Sequence, residues 1–264
     1  MEDKSKAWDM LGSLYWNAGY NGGPGPAELA AYLEGLGPSR EIAIIGASTR
    51  SLITAALRKQ CAVTVIDFSA RMIHDLRESL SGEGVPLGGL RTLLHDVKNP
   101  VPADLRARFA AVLSDRLLNR FNLVELALAL RGLLSLLHDE GELRTTVRIG
   151  LYPRDQPLLD EGRRLGNVRD FFDEETWEID YSKTGPLLEK VLEPHGTIPR
   201  STLLEFYALR GLEKRFRPGE FDRLCAAAQD RGRRFAVRRT SPSSNGLDTF
   251  FVLAPHRDRR EGAS

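Results

Sequence analysis

The sequence predicts an α/β protein: a doubly wound, mostly parallel, seven-stranded sheet, with a helical flap before it and a helical lid inserted after the fifth strand. Three observations carry this prediction. Short β-branched runs such as Ile42-Ala43-Ile44-Ile45 and Val63-Thr64-Val65-Ile66 lack polar alternation, as strands buried on both faces do. Helical stretches separate them, and strands alternating with helices imply parallel pairing through right-handed crossovers. The rhythm then breaks over residues 152–220, where six prolines between Pro153 and Pro218 punctuate short helical pieces.

Residues 1–40 are the expected flap. A helical pattern carries Trp8, Tyr15 and Trp16, a Gly/Pro/Asn-rich loop containing Tyr20 follows, and Pro26 opens a second helix over 27–36. Two readings of these aromatics stand side by side: packing on the core, or covering a ligand and facing a cation. Residues 41–151 form the core. After the first strand, Gly46 and the small residues Ala47, Ser48 and Thr49 permit a tight turn and close approach to a ligand. Asp67 ends the second strand. Ligands of open α/β sheets bind at strand carboxyl ends, and an acid roughly 20 residues beyond the glycine turn is placed for ribose hydroxyls. Ser69 is the expected N-cap of the helix 68–80. Leu90–Leu94, Phe109–Leu113 and Glu142–Leu151 continue the sheet, with an apolar helix over 123–137. Within the lid, Gln156–Leu165 and Ser201–Leu212 read as helices. Residues 221–255 supply a last helix and an antiparallel edge hairpin, Arg234–Thr240 with Asp248–Leu253; the tail 256–264 is expected to fray.

Composition bounds the function. The 264 residues carry a net charge of +1, with 28% charged and 42% hydrophobic residues, the balance of a soluble globular chain. Arginine clusters near 231–239 and 257–260 are matched by acids elsewhere and lie in no nucleic-acid module, so nucleic acid is not an expected partner. No apolar run approaches the roughly 18–20 residues of a membrane span, and the N-terminus has no signal core; a cytoplasmic location is the default, with no membrane partner. Cys61 and Cys225 form no spacing motif, and no metal site is predicted. The oligomeric state stays open, a homodimer among the options.

The element order, together with Val63–Asp67 and the following Phe68-Ser69-Ala70-Arg71-Met72-Ile73, resembles the class I S-adenosylmethionine-dependent methyltransferases, small-molecule type, over residues 40–255. The resemblance implies a Rossmann-like fold, S-adenosylmethionine as cofactor and a small-molecule partner. It implies that Asp67 holds the ribose hydroxyls, that Phe68 and Met72 flank the adenine, and that Asp96, followed by Val97, accepts from the adenine amine. Gly46, Ala47 and Ser48 would contact the methionine half from one side, Ser114 and Asp115 from the other. The first loop departs from the family pattern: Ile44 stands at an acidic position, and Ser48 and Arg50 replace glycines, so that Arg50 either points outward or reaches the cofactor carboxylate.

For the chemistry, the slot after the fourth strand offers Asn119, which can orient a nucleophile but cannot take its proton. Tyr15, Tyr20 and Trp16 are candidates for cation–π stabilisation of a sulfonium, and Arg116, Trp16 and Tyr152 for the acceptor side; Arg116 either pairs locally with Asp115 or binds an acidic substrate. His138 reads as a helix cap and His195, in the lid, as a weak base candidate. Methyl transfer to a small molecule ranks first. Aminocarboxypropyl transfer, or cyclisation releasing methylthioadenosine, is the alternative, and a non-catalytic binding module is a third reading. A dinucleotide is disfavoured because Gly46–Ser51 holds one glycine of the three that pyrophosphate binding needs.

Overall fold

A computed structural model describes residues 4–17, 23–193, 196–230, 232–242 and 248–256. The first half of the chain runs α1 (Ser5–Leu11), α2 (Leu14–Asn17), α3 (Pro26–Tyr32), β1 (Glu41–Ile45), α4 (Arg50–Arg58), β2 (Ala62–Asp67), α5 (Ala70–Gly82), β3 (Leu90–Leu94), β4 (Phe109–Asp115), α6 (Leu123–Leu136) and β5 (Leu137–Arg148). The five strands pair in parallel in the order β3-β2-β1-β4-β5. Chain order reverses between β1 and β4, which opens a crevice at their carboxyl ends.

The β-branched runs are buried on both faces, as expected. Along β1, Ile42 and Ile44 enter a core with α3, α4 and α5, while Ala43 and Ile45 enter the opposite core with α6. The helix starts follow local chemistry. Ser69 Oγ accepts from Met72 N at 3.0 Å at the start of α5. Asn122 and Glu125 form a reciprocal capping box on α6. Gly132 of α6 sits against the loop after β3: a Cβ there would lie 2.1 Å from the Val97 carbonyl oxygen. That glycine sets how closely α6 approaches the residues following β3.

The second half runs α7 (Asp155–Leu165), β6 (Phe172–Asp173), β7 (Glu178–Asp180), α8 (Gly185–Val191), α9 (Arg200–Arg210), β8 (Leu212–Lys214), α10 (Glu220–Ala227), β9 (Gln229–Asp230), β10 (Arg233–Pro242) and β11 (Asp248–Pro255). Two features differ from expectation. The closing hairpin is not wholly at the edge: β11 inserts antiparallel between β5 and β10, and β9 extends the sheet to eight strands. The segment after β5 is not purely helical either, because β6, β7 and β8 form a three-stranded antiparallel sheet. Strands of two or three residues are too short to give a period-2 signal. β5 also begins at Leu137, five residues before the expected start, with a register shift against β4 between Phe109 and Ala111.

The aromatics of 152–220 are mostly ordinary packing. Phe171, Phe172, Tyr181 and Phe206 share a buried cluster with Leu158 and with Ala7 and Leu11 of α1. Beneath it lies an ionic network. Arg215, fully buried, donates from Nε to Asp155 at 2.6 Å and from Nη2 to the Tyr181 hydroxyl at 2.8 Å. Burial opposes ionisation of Glu213, but Arg210, Arg120 and Arg215 together hold its carboxyl well below the usual range. Removing one member of such a set leaves a buried charge uncompensated. Among the described residues, no helix is long and apolar enough to cross a membrane.

Candidate cofactor and acceptor site

Two adjoining chambers open where β1, β2 and β4 end. The first, of about 420 Å3, is lined by Gly46, Asp67, Phe68, His95, Asp96 and Phe121 among others. The second, of about 580 Å3, lies toward the segment after β5 and includes Tyr15, Asp115, Arg116, Tyr152, Arg154 and Phe206. Trp8, Gly46, Ser48, Leu117 and Arg120 belong to both walls. The chambers form one bipartite cleft.

Asp67 organises the first chamber. Its two oxygens accept from Ala47 N at 2.6 Å and Ser69 N at 2.7 Å, tying the loop after β1 to the end of β2. Burial pushes its pKa up to about 6 in spite of these amides, and neighbouring Asp9 adds to the rise. Gly46 turns the chain with φ +99°, a conformation that side chains rarely adopt. His95 donates its backbone N–H to the Asp67 carbonyl at 2.8 Å, while its buried Nε2 has no hydrogen-bond partner. Asp96 Oδ1 accepts from Lys98 N at 3.0 Å, and Lys98 Nζ bonds Glu125 at 2.9 Å. The N-terminal segment closes this chamber from above. Lys4 Nζ reaches the Leu212 carbonyl at 2.6 Å, the Arg120 carbonyl at 2.8 Å and Glu125 at 3.0 Å, which fixes Ser5 and Trp8 over the cavity.

In the second chamber, Trp8 stacks edge-on against Tyr15 at 5.2 Å and Phe206 at 5.5 Å, joining α1 to α9. Arg116 holds a left-handed φ of +50° just past β4, an uncommon conformation for arginine and one that clusters at functional sites. Its guanidinium pairs with Asp115 at 2.8 Å. Burial raises the Asp115 pKa, opposed by Arg116 and by the hydrogen bond from the Thr146 hydroxyl.

The structure brings Gly46, Ser48, Asp67, Phe68 and Asp96 to one cavity, as the sequence predicts. It puts Tyr15, Arg116 and Tyr152 in the wall of the second chamber. Other expectations fail for identifiable reasons. Met72 and Val97 are packed into the cores flanking the sheet. The Ala47 side chain is buried, and only its amide reaches the site, through Asp67. Ser114 is fully buried and bonds Thr145 across to β5 at 2.9 Å. Asn119 has no free end for a nucleophile: its amide donates to the Arg148 carbonyl at 3.1 Å and accepts from Arg148 N at 2.8 Å, clamping the turn to β5. Trp16 donates to the Ser48 carbonyl at 3.0 Å and supports the loop from outside the cavity. Arg50 turns away to Glu83, at 2.9 Å, and Ser79. His138 Nδ1 accepts from Glu140 N in a local turn. Tyr20 and His195 lie outside the described residues. Sequence reasoning missed Lys4, His95, Arg148 and Arg154. Lys4 gave no signal, because a lysine near a terminus reads as solvated.

Compared with solved structures, the chain is 32% identical to a Rhodobacter sphaeroides protein provisionally described as a Zn-dependent alcohol dehydrogenase, covering 96% of this chain and 98% of that one with a TM-score of 0.89. The fold recurs in methyltransferases of known structure. CcbJ from Streptomyces caelestis is 15% identical, with 97% and 100% of the chains covered and a TM-score of 0.61. The 1,6-didemethyltoxoflavin-N1-methyltransferase of Burkholderia thailandensis, solved with its substrate and S-adenosylhomocysteine, is 15% identical, with 96% and 88% covered and a TM-score of 0.57. The chain shares the fold of these class I S-adenosylmethionine-dependent methyltransferases. No protein-family model and no curated protein matches it. The dehydrogenase description stays with the Rhodobacter protein. Here Cys61 and Cys225 are buried in the two opposite cores of the sheet, too far apart in the fold to share an ion.

The Burkholderia enzyme holds S-adenosylhomocysteine, and the residues of the first chamber here fit the adenosine half of such a ligand. The first chamber presents a buried carboxylate at the end of β2, apolar faces from Phe68, Leu94 and Phe121, and the unpartnered Nε2 of His95. At the methionine end the fit differs from the family pattern, because Ile44 is fully buried in β1 and offers no acid to an ammonium.

Proposed function

We propose that this protein is a small-molecule methyltransferase, with the cofactor's adenosine in the Asp67 chamber and the acceptor in the Tyr152 chamber. One observation carries the reading: an adenosine-sized cavity and a larger, partly apolar one share a wall at the carboxyl ends of β1 and β4. That wall is where a methyl donor and its acceptor must meet. Bound there, the cofactor supplies an electrophilic methyl group on a sulfonium. The protein's part is alignment and exclusion of water. Asp67 would take the ribose hydroxyls, Asp96 and His95 the adenine edge, and Phe68 and Phe121 its faces. Trp8 and Tyr15 place aromatic surface along the shared and acceptor walls, where a sulfonium gains cation–π attraction.

Calorimetry tests the binding half. S-adenosylhomocysteine and S-adenosylmethionine should both bind the full chain, and a chain that binds neither is not an enzyme of this kind. A second reading, non-methylating use of the same cofactor, is favoured by the buried Ile44 and by the engagement of both ends of Asn119. Mass spectrometry separates the two, since methylthioadenosine in place of S-adenosylhomocysteine identifies the second.

A further inference from the structure

The second chamber has an imbalance of charge. Four guanidinium groups line it, Arg116, Arg120, Arg148 and Arg154, against the carboxylates of Asp115 and Glu193. Their partners divide them. Arg116 is answered by Asp115 at 2.8 Å, and Arg120 by Glu213 at 3.4 Å. Arg148 is engaged only through Nε, which donates to Asp248 at 2.7 Å; its terminal nitrogens have no carboxylate of their own among the described residues. Arg154 has no acidic partner among the described residues and lies 4.4 Å over the Tyr207 ring. Arg154, a cation on the cavity wall with no carboxylate opposite among the described residues, is favourably placed to take one from a ligand, and Arg148, though paired with Asp248 through Nε, keeps its terminal nitrogens for hydrogen bonds to the same group.

Tyr152 marks the same spot. Its ring lies under three guanidinium groups, Arg215 at 4.5 Å, Arg148 at 4.9 Å and Arg120 at 5.2 Å, and its buried hydroxyl has no hydrogen-bond partner among the described residues. The rest of the chamber is apolar, with Leu11, Ile198, Leu203 and Phe206 in its wall. Such a combination discriminates on two grounds: the apolar body of a ligand fills the chamber, and its charged group selects the arginine end.

We propose that the acceptor carries an oxyanion, carboxylate or phosphate, on an apolar body, and that Arg154 and Arg148 hold the anion beside Tyr152. The proposal rests on the reading of this chamber as the acceptor side. It also reassigns the acidic-substrate role that the sequence suggests for Arg116, whose charge is already matched by Asp115. An anionic acceptor balances the charge of the arginines.

The test is calorimetry on the full chain, with and without saturating S-adenosylhomocysteine, using three probes of similar shape: phenylacetate, phenyl phosphate and the neutral phenylacetamide. At least one anion should bind about tenfold or more tightly than the amide, and Arg154→Gln should remove that preference while leaving S-adenosylhomocysteine affinity within about twofold. Arg154→Lys, which keeps the charge and loses the planar fork, should fall between the two. The stronger of the two anions identifies the oxyanion. Equal affinity for anion and amide, a preference that survives Arg154→Gln, or no binding of either anion overturns the proposal. An anion preference in a chain that does not bind S-adenosylhomocysteine would leave this inference standing and sink the cofactor reading instead.

Discussion

With the cofactor's ribose on Asp67, as proposed, cofactor affinity becomes a function of pH. The Asp67 carboxylate is buried among two backbone amides and near Asp9, and the net result is a pKa raised from 3.8 to about 6. Ribose hydroxyls donate to the ionised form, so nucleoside binding and loss of the proton are linked. A ligand that requires the ionised carboxylate binds about tenfold more weakly at a pH about one unit below that value, and reaches its limiting affinity about one unit above it. For the free protein, stability follows the opposite sign. The folded pKa lies above the unfolded one, so between 3.8 and about 6 the folded chain keeps a proton that the unfolded chain releases. Stability therefore falls as pH rises through that window, by up to about 3 kcal/mol. The assay is titration of S-adenosylhomocysteine across this range, with thermal unfolding of the free protein alongside. Asp67→Asn should weaken binding at least about 100-fold, because an amide cannot accept from both Ala47 N and Ser69 N and the ribose as well, and the pH slope should vanish. A His95→Asn control separates histidine protonation from that of Asp67. Affinity that is flat through the window, or a slope that persists in Asp67→Asn, would refute the reasoning.

Gly132→Ala drives a methyl group into the Val97 carbonyl and should destabilise by about 3 kcal/mol, read as a fall in melting temperature of about 5–10 °C. Asn119→Ala should cost about 2–4 kcal/mol of stability, because both Arg148 backbone groups lose buried partners, while cofactor affinity measured well below the melting temperature stays unchanged. An activity loss without a stability loss would restore Asn119 to the chemistry. Lys4→Met removes the bonds to the Arg120 and Leu212 carbonyls but leaves Glu125 paired with Lys98. S-adenosylhomocysteine affinity should then fall about tenfold, with faster amide exchange in α1 as the second readout.

The half of the site that was legible is the half built from one contiguous stretch. From β1 to the start of α5, a buried strand, a glycine, a second strand and an acid follow one another, and their spacing alone brings Gly46 and Asp67 together. Ser69 was legible as a cap for the same reason, since it meets an amide three residues on. Burial of individual side chains was not legible. Met72, Ser114 and Asn119 have suitable residue types near strand ends, yet each points into a core or is bonded to a neighbouring strand, an outcome set by packing across the sheet.

By itself, then, the sequence determined the order of strands and helices, the parallel core and the meeting of Gly46 with Asp67 at the strand ends, because local periodicity and short-range spacing encode them. Tertiary structure decided what faces the acceptor. Arg120, Arg148 and Arg154 come from different parts of the chain, and nothing in their spacing tells which of them has a carboxylate opposite. Lys4 becomes the latch of the N-terminal helix only through carbonyls and a carboxylate more than a hundred residues away. Charge compensation between distant segments is a property of the folded chain: Arg116, Arg120 and Arg148 meet Asp115, Glu213 and Asp248, while Arg154 has no carboxylate opposite among the described residues.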